Sequence, residues 1–252
     1  MYGCGIGPIL YPRDQKLAAR VLNRNVDIIT LREPDSQGVL ERFGVTEPEV
    51  LLSSDPALTL PPAPDAQVDR LFERLGIPAG GSYIAFVLRR WRGFEEKSTV
   101  FAAAAVYAYL NYGLTPVFVC INHRTDWEAA KLVSQHLSIP YHVIAEPMTS
   151  GMTIGVLARM KAVVSMRLHG LVFAAGQGVP LAGVSYDPKV TAFLDYIEQD
   201  NYQELEHLTV ENASSLIDCA IQLGREGGEL QRRTELLNEK ERINREIGRA
   251  HV

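Results

Sequence analysis

From Gly80 onward the chain alternates between short apolar runs and segments of helical pattern. The apolar runs cover residues 83–88, 116–120, 141–144, 162–165 and 181–185. Between and after them lie helical patterns at 95–112, 126–137, 152–160, 168–176 and 189–197, with Gly113 as a stop after the first. Strands that alternate with helices require a parallel sheet covered on both faces. The expectation is an α/β fold in which residues 63–200 form a Rossmann-like domain.

Upstream the pattern is sparser. Residues 16–22 read as an amphipathic helix and 27–32 as a short buried strand. A second helix is expected at 36–43, with Ser36 as its N-cap and Gly44 as its stop, and a second strand at 51–53. Pro61-Pro62-Ala63-Pro64-Asp65 is a stiff breaker and marks the expected boundary between residues 1–62 and the rest. Val68, Leu71, Phe72 and Leu75 then fall on one helical face. Residues 201–252 read as a helical tail. Leu216, Ala220 and Leu223 share a face, and beyond Gly227-Gly228 a charged stretch keeps only Leu237, Ile243 and Ile247 as an apolar stripe.

Composition narrows the function classes. The 252 residues carry 30 acidic and 25 basic side chains, a net charge of −5, so nothing draws the chain generally toward nucleic acid. The arginines and lysines below need local explanations. Cys4, Cys120 and Cys219 are odd in number, far apart and without metal-ligand spacing, which suits a reduced, cytoplasmic chain better than a disulfide framework. No leader is expected, and no apolar run is long enough to span a bilayer, so membrane contact would be peripheral.

The strand reading has a spatial consequence. Parallel strands all point their carboxyl ends at one edge, and ligands of open α/β sheets bind there. The residues that follow the strands are Arg89, Arg90 and Trp91; His123 and Arg124; Glu146; Arg167 and His169; and Tyr186, Asp187 and Lys189. Arginine forks onto carboxylate and phosphate through paired hydrogen bonds, and histidine exchanges a proton near neutral pH. At Val163-Val164-Ser165-Met166-Arg167-Leu168-His169-Gly170 a strand passes into a helix, whose first N–H groups also favour an anion. A small, highly charged substrate bearing phosphate or carboxylate is expected. The competing reading is a set of solvated loop charges. Gly3-Cys4-Gly5-Ile6-Gly7-Pro8 departs from a dinucleotide fingerprint in spacing and reads instead as a tight turn lining a cleft. Trp91 reads as a packed aromatic rather than a stacking platform.

Met166-Arg167-Leu168-His169, Phe173-Ala174-Ala175, Gly178-Val179-Pro180 and Ser185-Tyr186-Asp187-Pro188-Lys189-Val190 together resemble the polysaccharide pyruvyl transferases, in particular the CsaB type. Leu88-Arg89-Arg90-Trp91, Gly5-Ile6-Gly7-Pro8 and Ser54-Asp55-Pro56-Ala57-Leu58 fit the same family. The resemblance implies a GT-B-like pair of Rossmann-like domains. It implies transfer of pyruvate from phosphoenolpyruvate to two hydroxyls of one sugar, leaving a cyclic ketal and phosphate. For the CsaB type the acceptor is N-acetylmannosamine of a lipid-linked cell-wall disaccharide, and the product anchors S-layer proteins. In the family Gly-Ile-Gly-Pro lies well inside the N-terminal domain, whereas here it stands at the start. The resemblance therefore implies an N-terminally truncated chain, with residues 1–62 a remnant of the acceptor-side domain and an exposed edge or apolar face there.

On this resemblance Arg167, with Arg89 or Arg90, would clamp the donor's anionic groups. His169 would act as general acid/base and Lys189 as a second charge-neutralising group. Asp187 would belong to the substrate site, and Arg13 would reach it from the first domain. No cofactor is expected, since phosphoenolpyruvate is itself the donor, and no metal, since no residue cluster looks like a metal cage. The expected partners are phosphoenolpyruvate and a lipid-linked saccharide, at most a peripheral membrane contact at the inner face, and no nucleic acid; self-association is left open. Two readings stay open beside this one: a GT-B glycosyltransferase or sugar-nucleotide epimerase, and an inactive fragment of a pyruvyl transferase.

Overall fold

The computed structural model describes residues 1–250, and the chain divides into two compact units. The first comprises Met1–Thr59 and the stretch from Glu235; the second is Leu60–Thr234. The segment expected as a separate tail is thus shared between them. Its first half belongs to the second unit because Leu216, Ile217 and Ala220 are buried in that unit's core.

In the first unit β1 (Ile28–Leu31) and β2 (Glu49–Leu52) pair in parallel, with α1 (Pro12–Asn25) and α2 (Asp35–Phe43) beside them. The opening residues run along the free edge of β1. Cys4 donates to the Thr30 carbonyl at 3.0 Å and accepts from Arg32 N–H at 3.1 Å, a parallel bridge. Cys4 is therefore strand-like backbone, while Gly3 just before it bends through a left-handed φ of 53°. Ser36 is not the cap of α2, which is preceded by Pro34. Its hydroxyl instead accepts the Ile6 N–H at 2.7 Å, fixing the Gly-Ile-Gly-Pro segment over the helix start.

The last long helix, α10 (Gly228–Ala250), passes from one unit to the other. Within the first unit its partners are Ser53 and Ser54, whose hydroxyls donate to the Lys240 and Leu237 carbonyls at 2.8 and 3.1 Å. Asn244 donates to the Ser54 carbonyl at 2.9 Å. The apolar stripe of the tail is consequently sparse for a reason: buried hydroxyls and an amide take over part of the docking. Leu10, Tyr11, Leu17 and Val21 are exposed in this unit.

The second unit follows the expected alternation closely. Its strands are β3 (Tyr83–Val87), β4 (Thr115–Val119), β5 (His142–Ile144), β6 (Ala162–Ser165), β7 (Leu181–Ser185) and β8 (Tyr202–Glu204). All pair in parallel, in the order β5-β4-β3-β6-β7-β8. The chain builds outward from β3 to one side, then crosses back to build from β6 to the other. β3 and β6 are thus neighbours at the point where the order reverses. β8 is an addition to the sequence reading: Tyr202-Gln203-Glu204 carries no apolar run, because an edge strand needs to bury little.

Helices cover both faces. α4 (Phe94–Tyr112), α5 (Asp126–Ser134) and α9 (Val210–Glu226) pack on one. There Ile84, Phe86 and Leu88 of the β3 segment alternate with residues of the opposite face, as the pleat requires, and meet Phe101, Phe118 and Ile217. α3 (Asp65–Arg74), α6 (Ser150–Ala158), α7 (Leu168–Gly176) and α8 (Pro188–Tyr196) form the neighbouring contacts of the other layer. α4 ends where Gly113 takes the left-handed φ of 65°, a conformation that costs a side-chain-bearing residue more.

Candidate active site

Every strand of the six-stranded sheet points the same way, so the segments that follow them share one rim. Arg89 follows β3, Arg167 and His169 follow β6, and Lys189 follows β7, the three strands being adjacent in the sheet. The reversal of strand order falls between the first two. That is where open α/β sheets form a crevice.

Arg89 is held by aromatic rings. Its guanidinium carbon lies 4.9 Å from the ring centroids of both Trp91 and Tyr186, and Nη1 donates to the Tyr186 hydroxyl at 2.7 Å. Its Nε is buried without a hydrogen-bond partner. A buried N–H left in that state is costly unless something accepts from it. Arg90 points elsewhere: it is exposed and shared between Glu95 and Glu128, the latter at 3.1 Å. Of the two arginines expected as alternatives, Arg89 is the one with a buried donor left without a partner.

Arg167 is the N-cap of α7, with extended backbone (φ −83°, ψ 127°). The Ser165 hydroxyl shapes this turn, accepting the Arg167 N–H at 3.1 Å and donating to the Arg167 carbonyl at 2.8 Å. The guanidinium is gripped by Asp126, which accepts from Nε at 3.1 Å and from Nη2. Asp126 is 1% exposed and also accepts the Asn122 N–H at 2.9 Å. This carboxylate is not among the residues that the sequence pattern singles out. Its position at the start of the helix after β4, on the same rim, was the available signal. Just behind lies Cys120, whose thiol is pushed up to about 12 by burial first and by the Asp126 charge second, with Arg167 opposing.

His169 occupies the first turn of α7 and is exposed, its ring 5.8 Å from that of Phe173. The first N–H groups of that helix have no carbonyl a turn earlier to bond. Asp187 caps α8 by accepting the Lys189 N–H at 3.2 Å, and its other oxygen lies 3.2 Å from the Lys189 ammonium. Lys189 is therefore a partly compensated charge. Glu146, also on the rim, is tied by two hydrogen bonds to Arg74 at 2.6 and 2.7 Å. Arg13 lies in the first turn of α1, exposed, in the other unit. Among the described residues no group of three or more His, Cys, Asp or Glu side chains is arranged to hold a metal ion. No described helix is long and apolar enough to cross a membrane.

A model of the polysaccharide pyruvyl transferase family matches residues 1–188, which include every strand-end group described above except Lys189. The chain belongs to the polysaccharide pyruvyl transferase family. No curated protein matches it in sequence. Among solved structures, a glycosyltransferase from Rickettsia africae is similar, with TM-score 0.63 and 13% identity over 96% of this chain and 68% of that one. The UDP-GlcNAc 2-epimerase from Neisseria meningitidis gives 0.60 and 13% over 87% of this chain and 61% of that one. The epimerase from Methanocaldococcus jannaschii gives 0.56 and 11% over 77% and 54%. The family member thus has a GT-B-like, Rossmann-type fold and spans about half to two thirds of the length of these structures.

Proposed function

We propose that this pyruvyl transferase family member takes phosphoenolpyruvate as donor and forms a cyclic ketal on a sugar, releasing phosphate. One observation carries the reading. The two strands that flank the reversal each lead into an arginine, one with an unpartnered buried Nε and one opening a helix. Guanidinium groups and a helix N-terminus are what a dianionic phosphate next to a carboxylate calls for.

The chemistry follows from the donor. Protonation of the methylene carbon turns it into a methyl group and makes the adjacent carbon electrophilic. One sugar hydroxyl adds there, phosphate leaves with the C–O bonding pair, and the second hydroxyl closes the ring. Of the two hydroxyl protons, one replaces the proton given to the methylene carbon and the other leaves with phosphate. Arg89 and Arg167 would neutralise the anionic groups, Lys189 would offset charge developing on the leaving phosphate, and His169 would supply and recover the proton. Its exposure beside a free helix end leaves it room to do so. Arg13 and Asp187 would contact substrate. The family type that fits the Arg-Leu-His and Tyr-Asp-Pro-Lys segments is CsaB, with N-acetylmannosamine of a lipid-linked disaccharide as acceptor. With such an acceptor the reaction would run at the cytoplasmic side of a membrane.

A melting-temperature comparison tests the donor. Phosphoenolpyruvate raises the midpoint and uridine diphosphate does not. The reverse result overturns the reading in favour of a nucleotide-sugar enzyme. Phosphate release from phosphoenolpyruvate, with and without the lipid-linked disaccharide, then tests the transfer.

A further inference from the structure

The indole of Trp91 has two environments. Part of it packs on Tyr186, with centroids 4.8 Å apart, and against the Arg89 guanidinium. The rest is open: Trp91 is 42% exposed and lines a cleft of about 780 Å³. The β3–α4 loop, the start of α8 and the end of β8 form its walls. Trp91 is thus packed, as its sequence context suggests, but it also offers a platform.

The cleft has the opposite charge character to the strand-end arginines. Glu96, Asp187, Glu204 and Glu206 line it against Arg92 and Lys97. The Lys97 ammonium donates to the Glu206 and Leu208 carbonyls at 2.8 and 2.9 Å. A phosphate or carboxylate entering here would face more negative than positive groups. An uncharged ring bearing many hydroxyls would not. Carboxylates are pure acceptors and take hydroxyl protons well, while an indole face receives an apolar ring face. The volume lies within the ~300–1,000 Å³ range of small-molecule sites.

We infer that this cleft binds an uncharged saccharide ring, seated on Trp91 and hydrogen-bonded by the carboxylates around it. Calling that sugar the acceptor rests on the pyruvyl-transfer reading; the carbohydrate site does not.

Saturation-transfer NMR on the whole chain tests it, with the methyl glycosides of N-acetylmannosamine, N-acetylglucosamine and mannose as probes. At least one receives saturation at its ring protons. Trp91→Ala weakens that glycoside about tenfold, a loss equal to about 1.4 kcal/mol, and Trp91→Phe restores most of it. Glu206→Lys, an exposed change at the cleft wall away from Arg89, weakens it as well. Phosphoenolpyruvate is titrated in parallel. Glycoside binding without phosphoenolpyruvate binding supports the sugar site and sinks the donor assignment. Phosphoenolpyruvate binding with no glycoside signal overturns the sugar site alone. So does a glycoside affinity indifferent to both Trp91→Ala and Glu206→Lys.

Discussion

Asp126 holds Arg167 with both carboxylate oxygens, one on Nε at 3.1 Å and the other on Nη2. Asp126 opens α5 and Arg167 caps α7, so the pair fixes an arginine that would otherwise swing on a long side chain. It leaves Nη1 as the guanidinium nitrogen not engaged by the carboxylate. Asp126→Asn removes the charge while keeping the shape. Stability falls by about 2–4 kcal/mol, because a largely buried guanidinium loses its counter-ion. The KM for phosphoenolpyruvate rises more than kcat falls. A denaturation midpoint equal to that of the parent would show that the pair contributes nothing.

His169 separates chemistry from folding. It is exposed and its ring meets Phe173 at a tilted 42°, so His169→Gln leaves the melting midpoint unchanged. Phosphate release drops by about 10²–10⁴-fold, the range for loss of a general acid/base. If turnover survives with only a small loss, the proton comes from elsewhere.

The sheet and its helices were legible because their residues obey one rule: a strand buried on both faces must be apolar, and 83–87, 162–164 and 181–184 are, with Ser165 and Ser185 closing the last two. The strand-end cations were legible for the same reason, since strand direction fixes the rim. What escaped depended on partners distant in sequence. Nothing local announces that Asp126 will meet Arg167, that Arg90 will be absorbed by Glu95 and Glu128, or that Ser36 will bond Ile6 rather than cap its helix. The return of α10 to Ser53 and Ser54 escaped likewise, because hydroxyl-to-carbonyl docking has no period to read.

Cys120 reports on the same corner. With its thiol raised to about 12, on the order of one molecule in 10⁴ is thiolate at pH 8, and the side chain is 2% exposed. Cys219 is exposed. A disulfide reagent at pH 8 therefore labels Cys219 rapidly and Cys120 only after unfolding. The linkage sign is fixed by the raised value. The unfolded thiol ionises near 8.5 to 9, roughly three units lower, so the folded state binds the extra proton between these limits. This contribution is whole below about pH 8.5 and is lost as pH climbs toward 12. Cys120→Ser, itself less stable, shows a flatter decline in that window. An unchanged alkaline slope would mean the thiol is not the group that titrates.

Gly170 is required by closeness rather than by backbone freedom. A Cβ there would stand 2.4 Å from the Ser165 hydroxyl oxygen and 3.1 Å from Val87 Cγ1. The first of these atoms is the one that braces the Arg167 turn, and the second belongs to β3. Gly170→Ala must push α7 outward or turn the hydroxyl away, and either one shifts Arg167 and His169 together. Overpacking of this kind costs about 1–3 kcal/mol, and donor affinity falls with it. Adding Ser165→Ala removes the clashing oxygen. The double variant therefore regains stability relative to Gly170→Ala, while donor affinity stays low because the turn has lost its brace. If instead the two changes add without coupling, the tight seat of α7 on β6 does not set the position of the arginine and histidine.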